Sequence, residues 1–119
     1  MKHILCMTDT LLTLDVINTV LSEHYTLLIA HDAFKALELT SDNDIDLFII
    51  DMDDFDYQEI LEHIGRTDTR HRLTPMIGLA YETQEEHGGL NDRARFTKIV
   101  TKPLRSRPLS KAVDAIIGV

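Results

Sequence analysis

Asp46-Leu47-Phe48-Ile49-Ile50-Asp51 is the stretch that decides the fold. Its four consecutive large apolar residues do not alternate in polarity, as a strand with one solvated face would. They describe a strand covered on both faces, which is the signature of a parallel sheet. Moving outward, Ile4-Leu5-Cys6-Met7 is a second buried strand, closed by Thr8-Asp9. Thr10 to Glu23 places Leu14, Ile17, Val20 and Leu21 on one helical face, with Asp9 or Thr10 as its cap. Tyr25 to Ala30 reads as a strand, and Asp32 caps a helix that turns Ala33, Ala36 and Leu37 inward. Beyond Asp56 a helix runs to Gly65, and Thr74 to Ala80 forms the next strand, with Pro75 tolerated at its start. Phe96 to Thr101 is the last strand, and Arg105 to Ile117 closes the chain as a helix with Leu109, Val113, Ile116 and Ile117 inward.

Five strands alternating with five helices predict an α/β fold, a five-stranded parallel sheet with helices on both faces. The weak element is Glu82 to Ala94. His87-Gly88-Gly89 lies inside it, and each glycine costs about 1 kcal/mol against alanine in a helix. A short, broken or mobile segment is expected there.

The chain has 119 residues, so one domain spanning 1–119 is expected, and its 44% hydrophobic content supports one core. A net charge of −8 disfavours nucleic-acid binding by the whole surface and binding to a membrane through a polybasic face. No apolar run approaches the roughly 18 residues that span a bilayer, and no signal segment is evident. Cys6 is the only cysteine, which excludes an internal disulfide and a cysteine zinc cluster. A reducing, cytoplasmic setting fits these features.

Ligands of open parallel α/β sheets bind beyond the carboxyl ends of the strands. Those ends carry Thr8 and Asp9, then Asp51, then Ala80 and Tyr81, then Thr101 and Lys102. Two carboxylates and one lysine therefore converge from separate strands. Two carboxylates with room for water are the usual protein share of a Mg²⁺ site, and a carboxylate there can act as a nucleophile toward a phosphoryl group. The lysine can hold a transferred phosphoryl oxygen. Taken singly, each of these residues is more simply a helix cap or a strand end. Lys102-Pro103 changes the balance for the set, because a proline directly after a strand lysine fixes the chain exit.

With these residues in view, the chain resembles the response-regulator receiver domains, the chemotaxis-type phosphoacceptor fold. The resemblance runs over nearly the whole chain. It rests on Ile4 to Asp9, Ala30 to Leu37, Asp46 to Asp51, Thr74 to Ile77, and above all Ile99-Val100-Thr101-Lys102-Pro103-Leu104. It implies a flavodoxin-like strand order 2-1-3-4-5, with Asp51 as phosphoacceptor, Mg²⁺ held by Asp9, Asp51 and the backbone carbonyl of Asp53, and Lys102 stabilising the phosphoryl group. It implies a histidine kinase or phosphotransfer protein as donor, in a bacterial two-component system.

Four departures matter. Thr8 stands where the family has a first acid. Ala80 replaces a threonine or serine whose hydroxyl bonds the phosphoryl oxygen, a contact worth roughly 1.5–3 kcal/mol. Ile99 replaces a switch aromatic, so the hydroxyl-to-aromatic coupling has lost both ends. Met52-Asp53-Asp54-Phe55-Asp56 lacks the family's proline and later glycine and is about two residues shorter, which unsettles the role of Asp53. These departures keep a rival in play: a pseudo-receiver that binds partners without phosphorylation. An unrelated small α/β enzyme using the same acidic pocket is a more distant reading.

Asp51, Asp53 and Glu62 match three positions of a calcium loop, but Asp56 falls on its obligatory glycine and a strand precedes it. The six histidines show no metal spacing and read as surface residues, and Cys6 reads as a packed, unreactive thiol. Arg93, Arg95, Lys98, Lys102, Arg105 and Arg107 are six basic residues with no acid among them. In the resembling family that side carries the output or homodimer surface. An acidic protein partner is expected there, with nucleic acid the weaker alternative.

Overall fold

The computed structural model describes residues 1–53, 57–66, 69–81 and 95–118. Its strands are β1 (His3–Met7), β2 (Thr26–Ala30), β3 (Leu47–Asp51), β4 (Met76–Tyr81) and β5 (Lys98–Lys102). Its helices are α1 (Leu11–Leu21), α2 (Ala33–Asp42), α3 (Tyr57–Arg66) and α4 (Ser106–Ile117), with a 3₁₀ turn at Thr69–His71. All strand pairs are parallel, in the order β2-β1-β3-β4-β5. This is the predicted architecture. Sequence and structure differ by one or two residues at several element ends. The expected helix over Glu82 to Ala94 lies outside the described residues.

Strand periodicity sorts the core into two layers. Ile4, Cys6, Leu47, Ile49, Ile77, Leu79 and Val100 pack with Ile17 and Leu21 of α1 and Leu109, Val113 and Ile117 of α4. Leu5, Met7, Phe48, Ile50 and Met76 project from the other face onto Ala36 of α2 and Ile60 and Ile64 of α3. Successive residues of β3 are therefore all buried, which is why that strand carries no polar alternation. Burial pushes the Cys6 thiol up to about 12, so it remains a packing group.

Two local expectations are corrected. Asp32 caps α2 as predicted, accepting from the Lys35 N–H at 2.8 Å, but the side chain of Thr10 does not cap α1. The Thr10 N–H instead donates to Thr8 Oγ1 at 3.2 Å. His71 is buried rather than superficial. Its Nε2 accepts from the Ile45 N–H at 2.9 Å, and its ring meets Phe48 edge-on with centroids 5.7 Å apart.

Candidate functional site

Parallel pairing brings the ends of β1, β3 and β5 to one edge of the sheet, and register sets what meets there. Asp51 is opposite Leu79, Ala80 opposite Thr101, and Tyr81 opposite Lys102. The chain leaving β3 is held close to β4 by the Met52 N–H, which donates to the Leu79 carbonyl at 2.9 Å. Gly78 leaves room for the neighbouring side chains: a Cβ there would lie 2.7 Å from Met52 Sδ and 3.1 Å from the Phe96 ring. Asp53, two residues past Asp51, meets the tip of β5 through its side chain, Oδ2 lying 2.8 Å from Lys102 Nζ.

At the centre, Asp51 is fully buried and Lys102 nearly so, with 6% of the residue exposed. Lys102 Nζ donates to Asp51 Oδ1 at 2.7 Å. The Asp53 N–H donates to the same oxygen at 3.2 Å, and the Thr8 hydroxyl donates to Asp51 Oδ2 at 3.1 Å. Lys102 Nζ also lies 2.8 Å from Asp53 Oδ2, and it sits over the Tyr81 ring, 4.5 Å from its centroid. Geometrically the Asp53 contact is an ion pair without hydrogen-bond alignment, and neither carboxylate oxygen of Asp53 has a hydrogen-bond partner among the described residues. Burial by itself would draw a proton off Lys102. The hydrogen bond to Asp51 and the negative charge of Asp51 and Asp53 outweigh it, so the ammonium holds its proton more tightly than an ordinary lysine.

Asp51, Asp53, Lys102 and Thr8 thus meet in one pocket. Asp9, beside Thr8, is exposed. Among the described residues no group of three or more His, Cys, Asp or Glu side chains is placed to share a metal ion, so Asp9, Asp51 and Asp53 do not form one cluster. Ala80 is buried at the end of β4, and Ile99 is partly buried against the Phe48 layer. Tyr81, at the end of β4, contributes its ring face toward Lys102.

The donor set suits a hard cation. Two carboxylates share one ammonium, leaving one negative charge in excess, and Asp53 Oδ1 is a buried oxygen without a donor. Mg²⁺ needs only one or two carboxylates and keeps several waters.

The run of six basic residues is divided by the fold. Lys102 is enclosed with acids, and the half-buried Arg95 donates to the carbonyls of His71 and Arg72 at 3.3 and 3.0 Å. Lys98, Arg105 and Arg107 are exposed, and Arg93 lies outside the described residues. Lys98 and Arg105, joined by Lys111, border a groove of about 610 Å³ between β5 and α4, floored by Val100, Ala112 and Ile116.

No protein-family model matches the chain, and no curated protein matches it. Solved structures do. The chemotaxis response regulator CheY4 of Vibrio cholerae superposes with a TM-score of 0.81 at 20% identity, over 98% of this chain and 99% of that one. A response regulator receiver domain protein from Clostridium thermocellum gives 0.79 at 24% identity, covering 98% and 94%. NtrX from Brucella abortus gives 0.83 at 20% identity, over 98% of this chain and 27% of that one. The chain has the fold of response-regulator receiver domains.

Proposed function

We propose that this receiver fold serves two-component signalling, with Asp51 accepting a phosphoryl group from a phosphohistidine of a histidine kinase or phosphotransfer protein. The observation that carries the reading is the buried 2.7 Å contact between Lys102 Nζ and Asp51 Oδ1, made from strands that are not neighbours in the sheet. An Asp51 oxygen attacks phosphorus, the P–N bond to the donor imidazole breaks, and its electron pair returns to the ring nitrogen. Lys102 holds charge on the transferred oxygens, as a preorganised cation in a dry site does. Asp51, with Asp9 or Asp53, would hold Mg²⁺, which supplies neutralisation of the phosphoryl charge when bound. The chain is then a substrate and switch, not an enzyme with turnover. Its donor and output proteins meet it in the cytoplasm, and the basic groove beside α4 is the surface for an acidic protein partner. Among the described residues no helix is long and apolar enough to cross a membrane.

Incubation with Mg²⁺ and acetyl phosphate, followed by intact mass, is expected to show one added phosphoryl group that Asp51→Asn removes. Absence of that species in the wild-type chain contradicts the proposal.

A second reading, a pseudo-receiver that binds partners constitutively, is favoured by the Thr8 hydroxyl bond to Asp51 Oδ2. That bond gives Asp51 a neutral donor inside the protein, and Ala80 offers no hydroxyl to a phosphoryl oxygen. Equal partner binding by the wild type and Asp51→Ala would support this reading, and loss of binding would count against it.

A further inference from the structure

The two carboxylates around Lys102 are held very differently. Asp51 accepts from at least three groups, the Lys102 ammonium, the Asp53 N–H and the Thr8 hydroxyl. Among the described residues, Asp53 is tied through its side chain to Lys102 alone, by the 2.8 Å ion pair, and Oδ1 is buried with no hydrogen-bond partner. Buried polar atoms are nearly always paired, so an unpaired carboxylate oxygen beside a shared cation marks an arrangement built to change. When a second anion enters this pocket, the weakly tethered carboxylate is the one that gives way.

We propose that Asp53 is an internal competitor for the Lys102 ammonium, its carboxylate occupying the contact that an incoming phosphoryl oxygen would take. The proposal rests on the phosphoacceptor reading for its biological meaning and deepens it. In the free pocket the ammonium is already paired by a side chain of the same protein, with the Tyr81 ring as a third wall around it. Phosphoryl binding then requires an exchange of anions at Lys102. Because the pocket already carries one excess negative charge, Asp53 also repels a dianion at close range. Asp53 is thus a positioning residue that sets how readily Lys102 is released, and it takes no part in bond making.

The opposite role, in which Asp53 chiefly assists anion binding through a metal, predicts the opposite sign in metal-containing buffer and nothing in metal-free buffer. The probe is therefore inorganic phosphate without divalent cations, titrated into wild-type, Asp53→Asn and Asp53→Ala proteins and read from the chemical shifts of labelled Lys102. Both variants are expected to bind phosphate about tenfold more tightly than wild type, the scale set by removing one close charge. Lys102 should also react faster with an amine-labelling reagent in both variants, with Lys98 and Lys111 unchanged as internal references. Equal or weaker phosphate binding by the variants, or no binding by any of the three proteins, overturns the proposal. If the variants bind phosphate more tightly but acetyl phosphate with Mg²⁺ never modifies the wild type, the competitor stands and the phosphoacceptor reading fails.

Discussion

The two ends of the sheet solve the same problem in opposite ways. At the end where β3 begins, polar groups are matched by partners that accept or donate to them directly. The Ile45 N–H meets His71 Nε2 at 2.9 Å, and the His3 N–H meets Asp46 Oδ2 at 2.8 Å. Arg70 ties the carbonyls of Thr40 and Ser41 and pairs with Asp44. At the end where β3 stops, two carboxylates divide one ammonium, and an oxygen of Asp53 is left without a donor. Among the described residues the unsatisfied buried oxygen lies at the rim where the proposed function puts the phosphoryl group.

The comparison predicts an ordering of stability losses. Lys102→Met should have the largest effect, about 3 kcal/mol or more, because it leaves two carboxylates buried without their cation. A urea melt would show it, and adding Asp53→Asn should recover part of the loss. Equal stability of Lys102→Met and wild type would break the contrast between the ends. His71→Ala should cost less, roughly 2–3 kcal/mol, from an orphaned Ile45 N–H and a void beside Phe48.

The pH dependence sharpens the same contrast. Folding strengthens the hold of Lys102 on its proton, so its stabilisation is complete below its ordinary value of 10.5 and is lost as pH climbs through the higher folded value. Tyr25 acts in the same direction. Burial, then the hydrogen bond and charge of Asp114, raise it above 10.0, and its neutral form is the one folding favours. Urea melts across about pH 9 to 11.5 should show a decline that is shallower in Lys102→Met and shallower again with Tyr25→Phe added. The smallest effect is expected from Tyr81→Leu, which removes a ring that is half exposed beside the ammonium and should cost about 0.5–1 kcal/mol.

The fold was legible because its three central strands, β1, β3 and β4, are covered on both faces. Leu47 to Ile50 could only be a central strand, and Lys102-Pro103 fixed where the last strand ends. The pocket was legible as far as topology determines it: Asp51 and Lys102 come together because parallel strands end at one edge. The position of the Asp53 side chain was not, since its contact is with Lys102, far away in sequence and on a strand that β4 separates from β3. Thr8 read as a missing acid and proved to be a hydroxyl donor to Asp51. His71 carried no periodic signal, because one buried histidine in a connecting turn leaves no pattern to read. The basic run looked continuous in sequence, but strand register enclosed Lys102 with acids and left Lys98 and Arg105 outside.

The central claim is that the Asp51–Lys102 pocket receives a phosphoryl group. Titration with Mg²⁺ and beryllofluoride, a phosphoryl mimic, tests it directly when followed by chemical shifts. The account predicts large, Mg²⁺-dependent changes at Asp51, Lys102 and Thr8, none at His71, and none anywhere in Asp51→Asn. A spectrum that does not change on addition of both reagents would contradict it.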